Sequence, residues 1–291
     1  MKSAAKPPVK SAAKPPVKSA ARSRPEPAAQ SAPVRAALGI DIGGTGIKAA
    51  LVNVENGELL SKRFRVNTPK PSTPEAIAQT VARVVRLIAK ERRLPADAPV
   101  GVGLPGPIKG GIVMTAANID KHWIGTSAVD LFSKALNRRV YAINDADAAG
   151  LAEMRIGAGR EREGTVLMLT IGTGIGSGLF VDGRLVPNTE LGHLEFKGQD
   201  AETRLSGMAR ERRDLRWRAW ANEFNQYLAR VELYLWPDLI ILGGGVSKEL
   251  ARYGKWLKSR SPIVAAQYLN TSGIIGAAMY AADRARGVDP A

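Results

Sequence analysis

Three glycine-rich turns, each of which follows a short apolar run, constrain the fold of this chain more than any other feature. They occupy residues 41–48 (DIGGTGIK), 170–178 (TIGTGIGSG) and 242–247 (LGGGVS). Glycine lets backbone N–H groups approach an anion without a side-chain clash, and successive N–H groups form anion-binding nests. The turns also carry hydroxyl groups, at Thr45, Thr173 and Ser247. One such turn is typical of a tight hairpin, but three after apolar strands predict phosphate binding.

The turns differ from the two common nucleotide-binding signatures. The pattern GxxxxGK[ST] is absent from the sequence. The segment GTGIGSG loosely resembles GxGxxG, but the residues after it, 179–181, are predicted as a strand, and the dinucleotide fold needs a helix there. The first turn adds Asp41, which could hold a phosphate-bound Mg²⁺ directly or through water, and Lys48, a cation near the phosphates.

Strand and helix patterns alternate through the rest of the chain. Short apolar runs bounded by turn residues predict strands at 37–42, 49–54, 58–66, 99–104, 140–143, 165–171, 178–181, 184–186 and 238–242. Apolar spacing predicts helices that start near residue 72 and at 201–213, 217–235, 247–257 and 273–286. Each half begins with a strand, a glycine-rich turn and a second strand. This repetition predicts an α/β fold of two similar lobes with a cleft between them.

The first 35 residues differ in composition from the rest. KSAAKPPV occurs at 2–9 and again at 10–17, and such a sequence has too little apolar surface to offset its ordering entropy. We predict a disordered basic Lys/Ala/Pro repeat arm at 1–35, an N-terminal α/β lobe at 36–143 on which helix 273–286 packs, and a C-terminal α/β lobe at 144–272.

The arm holds eight Lys or Arg against one Glu, about half of the formal net charge of +15. It could contact nucleic acid or another polyanion non-specifically, although a solubilising extension is the simpler interpretation. No other nucleic-acid partner is expected. The arm lacks the apolar core of a secretory signal, and no run approaches the roughly 20 apolar residues that span a bilayer. We therefore expect a cytoplasmic protein without a membrane partner.

The sequence contains no cysteine. This excludes a disulfide framework, a thiolate metal site and a cysteine nucleophile.

Residues 144–147 (NDAD) lie where a predicted strand gives way to a helix. A carboxylate at the carboxyl end of a strand can take a proton from a substrate hydroxyl, and Asn144 could orient the same substrate. The alternative is helix capping, because Asp and Asn are preferred at that position. We predict Asp145 as a general base and Asp147 as a capping or structural residue.

Residues 189–195 (TELGHLE) place carboxylates around His193, one of only two histidines. Sugar hydroxyls both donate and accept hydrogen bonds, so an acceptor-rich group of this kind suits a polyhydroxylated ligand. A surface loop and a His–carboxylate metal site are the alternatives, although no HExxH pattern is present.

A stretch of fifteen residues is rich in arginine and is predicted to be a solvated helical face or a path for a polyanion. Its arginines are Arg204, Arg210, Arg212, Arg213, Arg216 and Arg218. The neighbouring Trp217, Trp220 and Trp236 are predicted to be core residues.

Together, DIGGTGIK, NDADAAGLAE, GTGIGSG and ELGH resemble the ROK family of sugar kinases and repressors. The resemblance covers about residues 37–285 and implies a two-lobed, actin-like and ribonuclease-H-like sugar kinase fold. Residues 115–126 (TAANIDKHWIGT) and 187–195 (PNTELGHLE) are similar to the polyphosphate glucokinases within this family. That similarity implies transfer of the terminal phosphoryl group of inorganic polyphosphate, and of ATP, to the 6-hydroxyl of glucose, with mannose a further acceptor in some members.

The resemblance also implies roles for individual residues. Asp145 matches the base that deprotonates the sugar 6-hydroxyl, and Asp41 is expected to hold Mg²⁺, possibly through water. Residues that match sugar ligands are Asn144, Glu190, His193 and Glu202, to which we add Asn118. Residues that match the donor-phosphate loops are Asp41, Gly43, Gly44, Thr45, Lys48, Thr173, Gly174, Gly244 and Gly245.

The chain departs from the family at one place. Most members carry a CxCGxxGCxE zinc motif after the histidine, whereas here residues 196–202 contain no cysteine. We therefore expect no zinc site and some other support for His193. Residues 1–35 are unsuited to a helix-turn-helix domain, which favours a kinase over a repressor, and the resemblance implies a homodimer. The alternatives are an ATP-only ROK hexose kinase of other sugar specificity and a non-catalytic, sugar-responsive nucleic-acid-binding regulator.

Overall fold

A computed structural model of the chain describes residues 35–291. The predicted basic arm, apart from Arg35, lies outside the described residues. Within them, two five-stranded sheets are flanked by helices. The strands are β1 (Ala36–Ile42), β2 (Gly46–Asn53), β3 (Phe64–Asn67), β4 (Val100–Leu104), β5 (Ile108–Lys109), β6 (Ile112–Val113), β7 (Val140–Asn144), β8 (Thr165–Ile171), β9 (Ile175–Val181), β10 (Arg184–Val186), β11 (Glu195–Phe196), β12 (Gln199–Asp200), β13 (Leu239–Gly243) and β14 (Ile263–Ala265).

The helices cover the sheets and connect the parallel strands. They are α1 (Pro74–Glu91), α2 (Ala128–Leu136), α3 (Asp145–Ile156), α4 (Ala201–Leu205), α5 (Gly207–Arg212), α6 (Trp217–Leu235), α7 (Gly244–Ser247), α8 (Leu250–Tyr253) and α9 (Ser272–Ala285). None of the helices in this part of the chain has the length and apolarity that a membrane crossing requires.

The two sheets repeat one topology. The first has the order β3-β2-β1-β4-β7 and the second β10-β9-β8-β13-β14. In each sheet, three consecutive strands form an antiparallel meander. The first strand of the meander, β1 or β8, also pairs on its other side with the first of two parallel strands. The central parallel strands β4 and β13 are buried along their whole length, as expected for strands covered on both faces. The predicted α/β architecture with two similar halves is confirmed.

Helices α3 and α9 pack against each other between the sheets. Helix α9 contacts β1 and β4 of the first sheet, and α3 contacts β8 and β9 of the second. Small residues permit the close approach: a Cβ atom at Gly101 would lie 1.8 Å from the carbonyl oxygen of Ala277, and one at Gly276 would lie 1.6 Å from that of Ala148. The Gly- and Ala-rich composition of α9 follows from this contact. The lobe boundaries at 143 and 272 stay predictions.

Separate apolar cores lie on the outer faces of the sheets. On the first, the apolar face of α1 packs on the strands, and Thr73 caps α1 by accepting a hydrogen bond from the Ala76 N–H at 3.3 Å. On the second, Trp220 and Phe224 of α6 stack with ring centroids 4.7 Å apart, in contact with β8 and β13. Both helices lie where the sequence predicts them.

Three predicted elements are wrong in extent. The predicted strand 58–66 is reduced to β3, because the Ser61 side chain accepts a hydrogen bond from the Leu51 N–H at 3.0 Å and takes the place of a backbone acceptor in the ladder. Of the predicted helix 247–257, only Ser247 lies in α7; residues 248–249 form a turn, α8 follows, and a 3₁₀ turn begins at Gly254. Glycine in a helix interior costs roughly 1 kcal/mol relative to alanine, which favours a break there.

The predicted helix 201–213 is likewise interrupted. Ser206 adopts an extended conformation between α4 and α5, and its hydroxyl caps α5 by accepting from the Ala209 N–H at 3.2 Å.

The tryptophan prediction is correct for Trp220, which is fully buried, and wrong for Trp236, which is 65% exposed. Trp236 lies just past the end of α6 in the left-handed conformation, where it leaves the core and stacks under the Arg260 guanidinium at 4.0 Å. Trp217 is partly buried and stacks on Tyr253 at 5.0 Å. The arginine-rich face is only partly solvated, since Arg213 and Arg204 both pair with Glu223.

Candidate active site

All of the site residues predicted from the sequence line one cleft, with a cavity volume of about 310 Å³. It is bounded by the carboxyl ends of the parallel strands and by the glycine-rich turns. The predicted residues that line it are Asp41, Gly43, Gly44, Thr45, Lys48, Asn118, Asn144, Asp145, Thr173, Gly174, Glu190, His193, Glu202, Gly244 and Gly245. The structure brings these residues together, and their individual roles stay predictions.

The first turn joins β1 to β2 and is held by hydrogen bonds at its base. The Gly43 N–H donates to the Gly46 carbonyl at 3.0 Å, and the Thr68 hydroxyl donates to the Gly43 carbonyl at 2.5 Å. Asp41 and Lys48 face each other across the two strands, and the Lys48 ammonium lies 2.7 Å from the Asp41 carboxylate. The turn therefore lines the cleft with glycine-rich backbone, one carboxylate and one cation.

The second turn joins β8 to β9 and contacts residues from both halves of the chain. Glu202 accepts a hydrogen bond from the Ile175 N–H at 3.1 Å. A Cβ atom at Gly174 would lie 2.3 Å from the Glu202 carboxylate and 3.0 Å from the Asn118 amide nitrogen. Only glycine allows this approach, so Asn118 and Glu202 converge on the same turn.

The third turn follows β13. Gly244 has φ of 74°, and a Cβ atom there would lie 2.5 Å from the Ile171 carbonyl oxygen, so glycine is required on both grounds. The Ser247 hydroxyl donates to the Gly244 carbonyl at 2.8 Å and is buried. Unlike Thr45 and Thr173, it therefore does not face the cleft, and only two of the three turns offer a hydroxyl.

Asn144 ends β7 and caps α3. Its side-chain oxygen accepts from the N–H groups of Ala146 and Asp147 at 2.8 and 3.0 Å, while its amide nitrogen donates to Glu190 at 3.3 Å. Asn144 thus takes the capping role that the sequence left open for Asp147, and it is also aimed at the carboxylate cluster. Asp145, the first residue of α3, is consequently held at the floor of the cleft.

Asp145 has an unusual electrostatic environment. Burial raises the pKa of its carboxyl group, and the charges of Asp41 and Glu190 raise it further, to about 8. A carboxylate whose pKa lies near the working pH is a more effective proton acceptor than an ordinary aspartate. The predicted assignment of Asp145 as a general base therefore has a physical basis in this site.

Asp147 lies two residues after Asp145 in α3 and is fully buried. One carboxylate oxygen accepts from the Asn188 N–H at 2.8 Å, and the other has no hydrogen-bond partner among the described residues. Burial raises the pKa of Asp147 to about 7, with a further contribution from the charge of Glu190. Its contacts are structural, since they connect α3 to the loop that carries Glu190.

Glu190 and His193 form the other wall of the cleft. The His193 Nε2 lies 3.6 Å from the Glu190 carboxylate, and Nδ1 lies 2.9 Å from the carboxylate of Asp200. Burial disfavours the charged imidazole, but the hydrogen bond to Asp200 and the charges of Glu202 and Glu190 outweigh it and raise the pKa of His193. Burial also raises the pKa of Glu190.

Asp200 therefore supplies a support for His193. It ends the β11–β12 hairpin, which occupies the segment where the family motif has its cysteines. The sequence does not predict this residue. Arg65 is a second residue of the cleft that the sequence does not predict, although it lies opposite Lys48 in the β2–β3 pairing. A correct pairing of the predicted strands would have identified Arg65, whereas no sequence signal marks Asp200.

Comparison with known proteins relates this site to a family. A sequence model described as the ROK family matches residues 37–213. The chain belongs to the ROK family. The polyphosphate glucokinase of Mycobacterium tuberculosis is 45% identical to this ROK protein over 246 residues, which are 84% of this chain and 91% of that protein.

Comparison with solved structures relates the chain to sugar kinases as well. The inorganic polyphosphate/ATP-glucomannokinase from Arthrobacter sp. strain KM is 50% identical, with a TM-score of 0.83 over 86% of this chain and 99% of that chain. A ROK family glucokinase from Streptomyces griseus, in complex with glucose and AMPPNP, is 27% identical, with a TM-score of 0.71 over 84% of this chain and 99% of that one. The predicted family and the predicted two-lobed, actin-like sugar kinase fold are confirmed.

Proposed function

We propose that this ROK protein is a kinase that transfers the terminal phosphoryl group of inorganic polyphosphate, and of ATP, to the 6-hydroxyl of glucose. The observation that carries the proposal is the position of Asp145, whose carboxyl group lies in one cleft between the glycine-rich turns and the Glu190–His193 wall. The names of the relatives support it: the Mycobacterium protein is a polyphosphate glucokinase and the Arthrobacter protein a polyphosphate/ATP-glucomannokinase.

The sugar binds at the wall of carboxylates and amides. Asn118, Asn144, Glu190, His193 and Glu202 offer donors and acceptors around a space that Asp145 also faces. Because each sugar hydroxyl both donates and accepts, such a mixed lining holds one hydroxyl in line for reaction. Asp145 then accepts the proton of that hydroxyl as its oxygen attacks the terminal phosphorus.

The phosphoryl donor binds at the glycine-rich turns. Backbone N–H groups of the first two turns, the hydroxyls of Thr45 and Thr173, and Lys48 stabilise the charge on the transferred and leaving phosphates. Asp41 has the chemistry to hold Mg²⁺, which commonly uses one or two carboxylates together with substrate phosphates and water. When bound there, Mg²⁺ neutralises phosphate charge. The third turn, with Gly244 and Gly245, serves the adenosine side of ATP.

Polyphosphate and ATP end in the same phosphoryl group, so the same two turns serve both donors. Mannose as a further acceptor, a homodimer and a cytoplasmic location stay predictions of the family resemblance. An ATP-only hexose kinase and a non-catalytic regulator are the competing functions, and the choice of donor and the presence of turnover distinguish them.

The test is a coupled assay for glucose 6-phosphate with glucose as acceptor and with polyphosphate or ATP as donor. Wild-type protein is expected to form product with both. Asp145→Asn is expected to lower kcat by about 10²–10⁴, the usual effect of losing a general base. Asp97→Asn is the matched control, because Asp97 is exposed and lies outside the cleft. Absence of product with either donor would refute the proposal, and product with ATP alone would favour the ATP-only kinase.

A further inference from the structure

A row of three charged residues crosses the first sheet at the mouth of the cleft. Asp41 in β1 pairs with Lys48 in β2, and Lys48 pairs with Arg65 in β3. Residues directly opposite each other in antiparallel strands project from the same face, with Cβ atoms about 5 Å apart. All three residues line the cleft.

The charges in this row do not balance. The Asp41 carboxylate is bonded to Lys48 at 2.7 Å, and no carboxylate of residues 35–291 forms an ion pair with Arg65. Like charges directly opposite each other in a sheet are destabilising. Two cations, Lys48 and Arg65, therefore lie side by side with only the Asp41 carboxylate to balance them, and the site has room in its charge balance for a bound anion.

The Arg65 guanidinium lies over the first glycine-rich turn. A Cβ atom at Gly46 would lie 3.2 Å from both its Nε and one terminal nitrogen, so the side chain crosses the backbone where the turn ends. The next part of the chain is tied to the same turn by the hydrogen bond from Thr68 to Gly43. Arg65 is therefore placed beside the predicted donor-phosphate site.

The segment around Arg65 is basic and lies at an edge. Strand β3 is an edge strand of the first sheet, and residues 62–70 (KRFRVNTPK) hold four cationic side chains and no acidic one. Exposed charges at a sheet edge also prevent pairing with other chains, and this role is enough to explain Lys62, Arg63 and Lys70. It does not account for Arg65, which faces the cleft.

We propose that Arg65 binds phosphate groups of polyphosphate beyond the third from the reacting end, and that the polyphosphate chain leaves the cleft along the β3 edge. The inference rests on the proposed function. ATP has no phosphates beyond its third, and its adenosine side is assigned to the Gly244–Gly245 turn at the second sheet. Arg65 therefore favours polyphosphate over ATP.

The kinetic test is Arg65→Gln, assayed at saturating glucose with long-chain polyphosphate and, separately, with ATP. The KM for polyphosphate is expected to rise about tenfold, equivalent to about 1.4 kcal/mol. The KM for ATP, the KM for glucose and kcat are expected to stay within about twofold. Arg83→Gln is the matched control, because Arg83 is an exposed arginine on α1 that lies outside the cleft and its replacement makes the same change in net charge. An equal rise for both donors, or no difference from Arg83→Gln, would overturn the proposal.

A binding measurement separates this inference from the proposed function. Long-chain polyphosphate is titrated by calorimetry into Asp145→Asn protein with and without Arg65→Gln, in the absence of glucose. The double variant is expected to bind about tenfold more weakly, and equal binding would overturn the role of Arg65. If wild-type protein forms no glucose 6-phosphate, the proposed function fails, while this titration still decides whether Arg65 binds polyphosphate.

Discussion

Replacement of Asp200 by alanine tests whether a carboxylate positions His193 for the sugar. In the structure, the Asp200 carboxylate lies 2.9 Å from His193 Nδ1. Its hydrogen bond holds the ring with Nε2 towards Glu190. Without it, the imidazole is free to rotate and its Nδ1 proton is no longer specified. We expect the variant to bind glucose more weakly without a change in the phosphate turns.

The size of the effect follows from the geometry and the exposure. A hydrogen bond to a charged group contributes about 1.5–3 kcal/mol when protected from water. Here the side chains of His193 and Asp200 are 36% and 50% exposed, so screening reduces the contribution to about 1 kcal/mol. That corresponds to an increase of about fivefold in the KM for glucose. The KM for the phosphoryl donor should remain unchanged.

The assay measures the KM for glucose across pH at saturating donor. Since the hydrogen bond to Asp200 raises the pKa of His193, its loss should move the limb of the profile that follows His193 to lower pH. Glu195→Ala is the control. Glu195 lies in the same hairpin, and its contacts are with Gly198 and with Arg230 of α6. An unchanged KM in Asp200→Ala, or an equal change in Glu195→Ala, would refute the positioning role.

Two further predictions concern the buried aspartates. The pKa of Asp145 is raised to about 8, and the base must be deprotonated to act, so kcat/KM should fall about tenfold per pH unit below that value. A flat pH–rate profile from about pH 6 to about pH 9 would contradict this prediction. The pKa of Asp147 is raised from 3.8 to about 7, so between these values the folded state keeps a proton that the unfolded state loses. The free energy of unfolding should therefore decrease as pH rises from about 4 to about 7, by up to about 4 kcal/mol. Urea unfolding of wild type and Asp147→Asn across this range measures it, and equal pH slopes in the two proteins would exclude the effect.

The sequence predicts the site better than it predicts the connections. The glycine-rich turns and Asp145 are recognisable because each lies at the end of a short apolar strand, and parallel strands bring their carboxyl ends to one edge. The local pattern of residues 247–257 is compatible with one helix, and only the structure shows the break at Gly254. The predicted strand 58–66 fails for a similar reason, since the Ser61 side chain interrupts a ladder that its sequence pattern would support.

The sequence does not predict features that depend on tertiary contacts. Trp236 has a large apolar side chain, which favours burial, but its position just after the end of α6 leaves it exposed. Asp200 lies in a two-residue strand of a short hairpin, and nothing in its neighbourhood marks it as the partner of His193. The sequence correctly predicts Asn144 at the strand–helix junction, but only the structure shows its hydrogen bonds to both the α3 backbone and Glu190.

Support by a carboxylate has a chemical consequence for His193. A metal ion bound to a ring nitrogen takes the lone pair and keeps the imidazole neutral. The Asp200 carboxylate instead accepts a hydrogen bond from Nδ1–H, which leaves Nε2 as an acceptor in the neutral ring and as a donor in the protonated ring. Because Asp200, Glu202 and Glu190 together raise the pKa of His193, the donor form extends to higher pH. The hydrogen bond that we propose between His193 and a sugar hydroxyl therefore depends on the protonation of His193, and glucose binding should depend on pH through this residue.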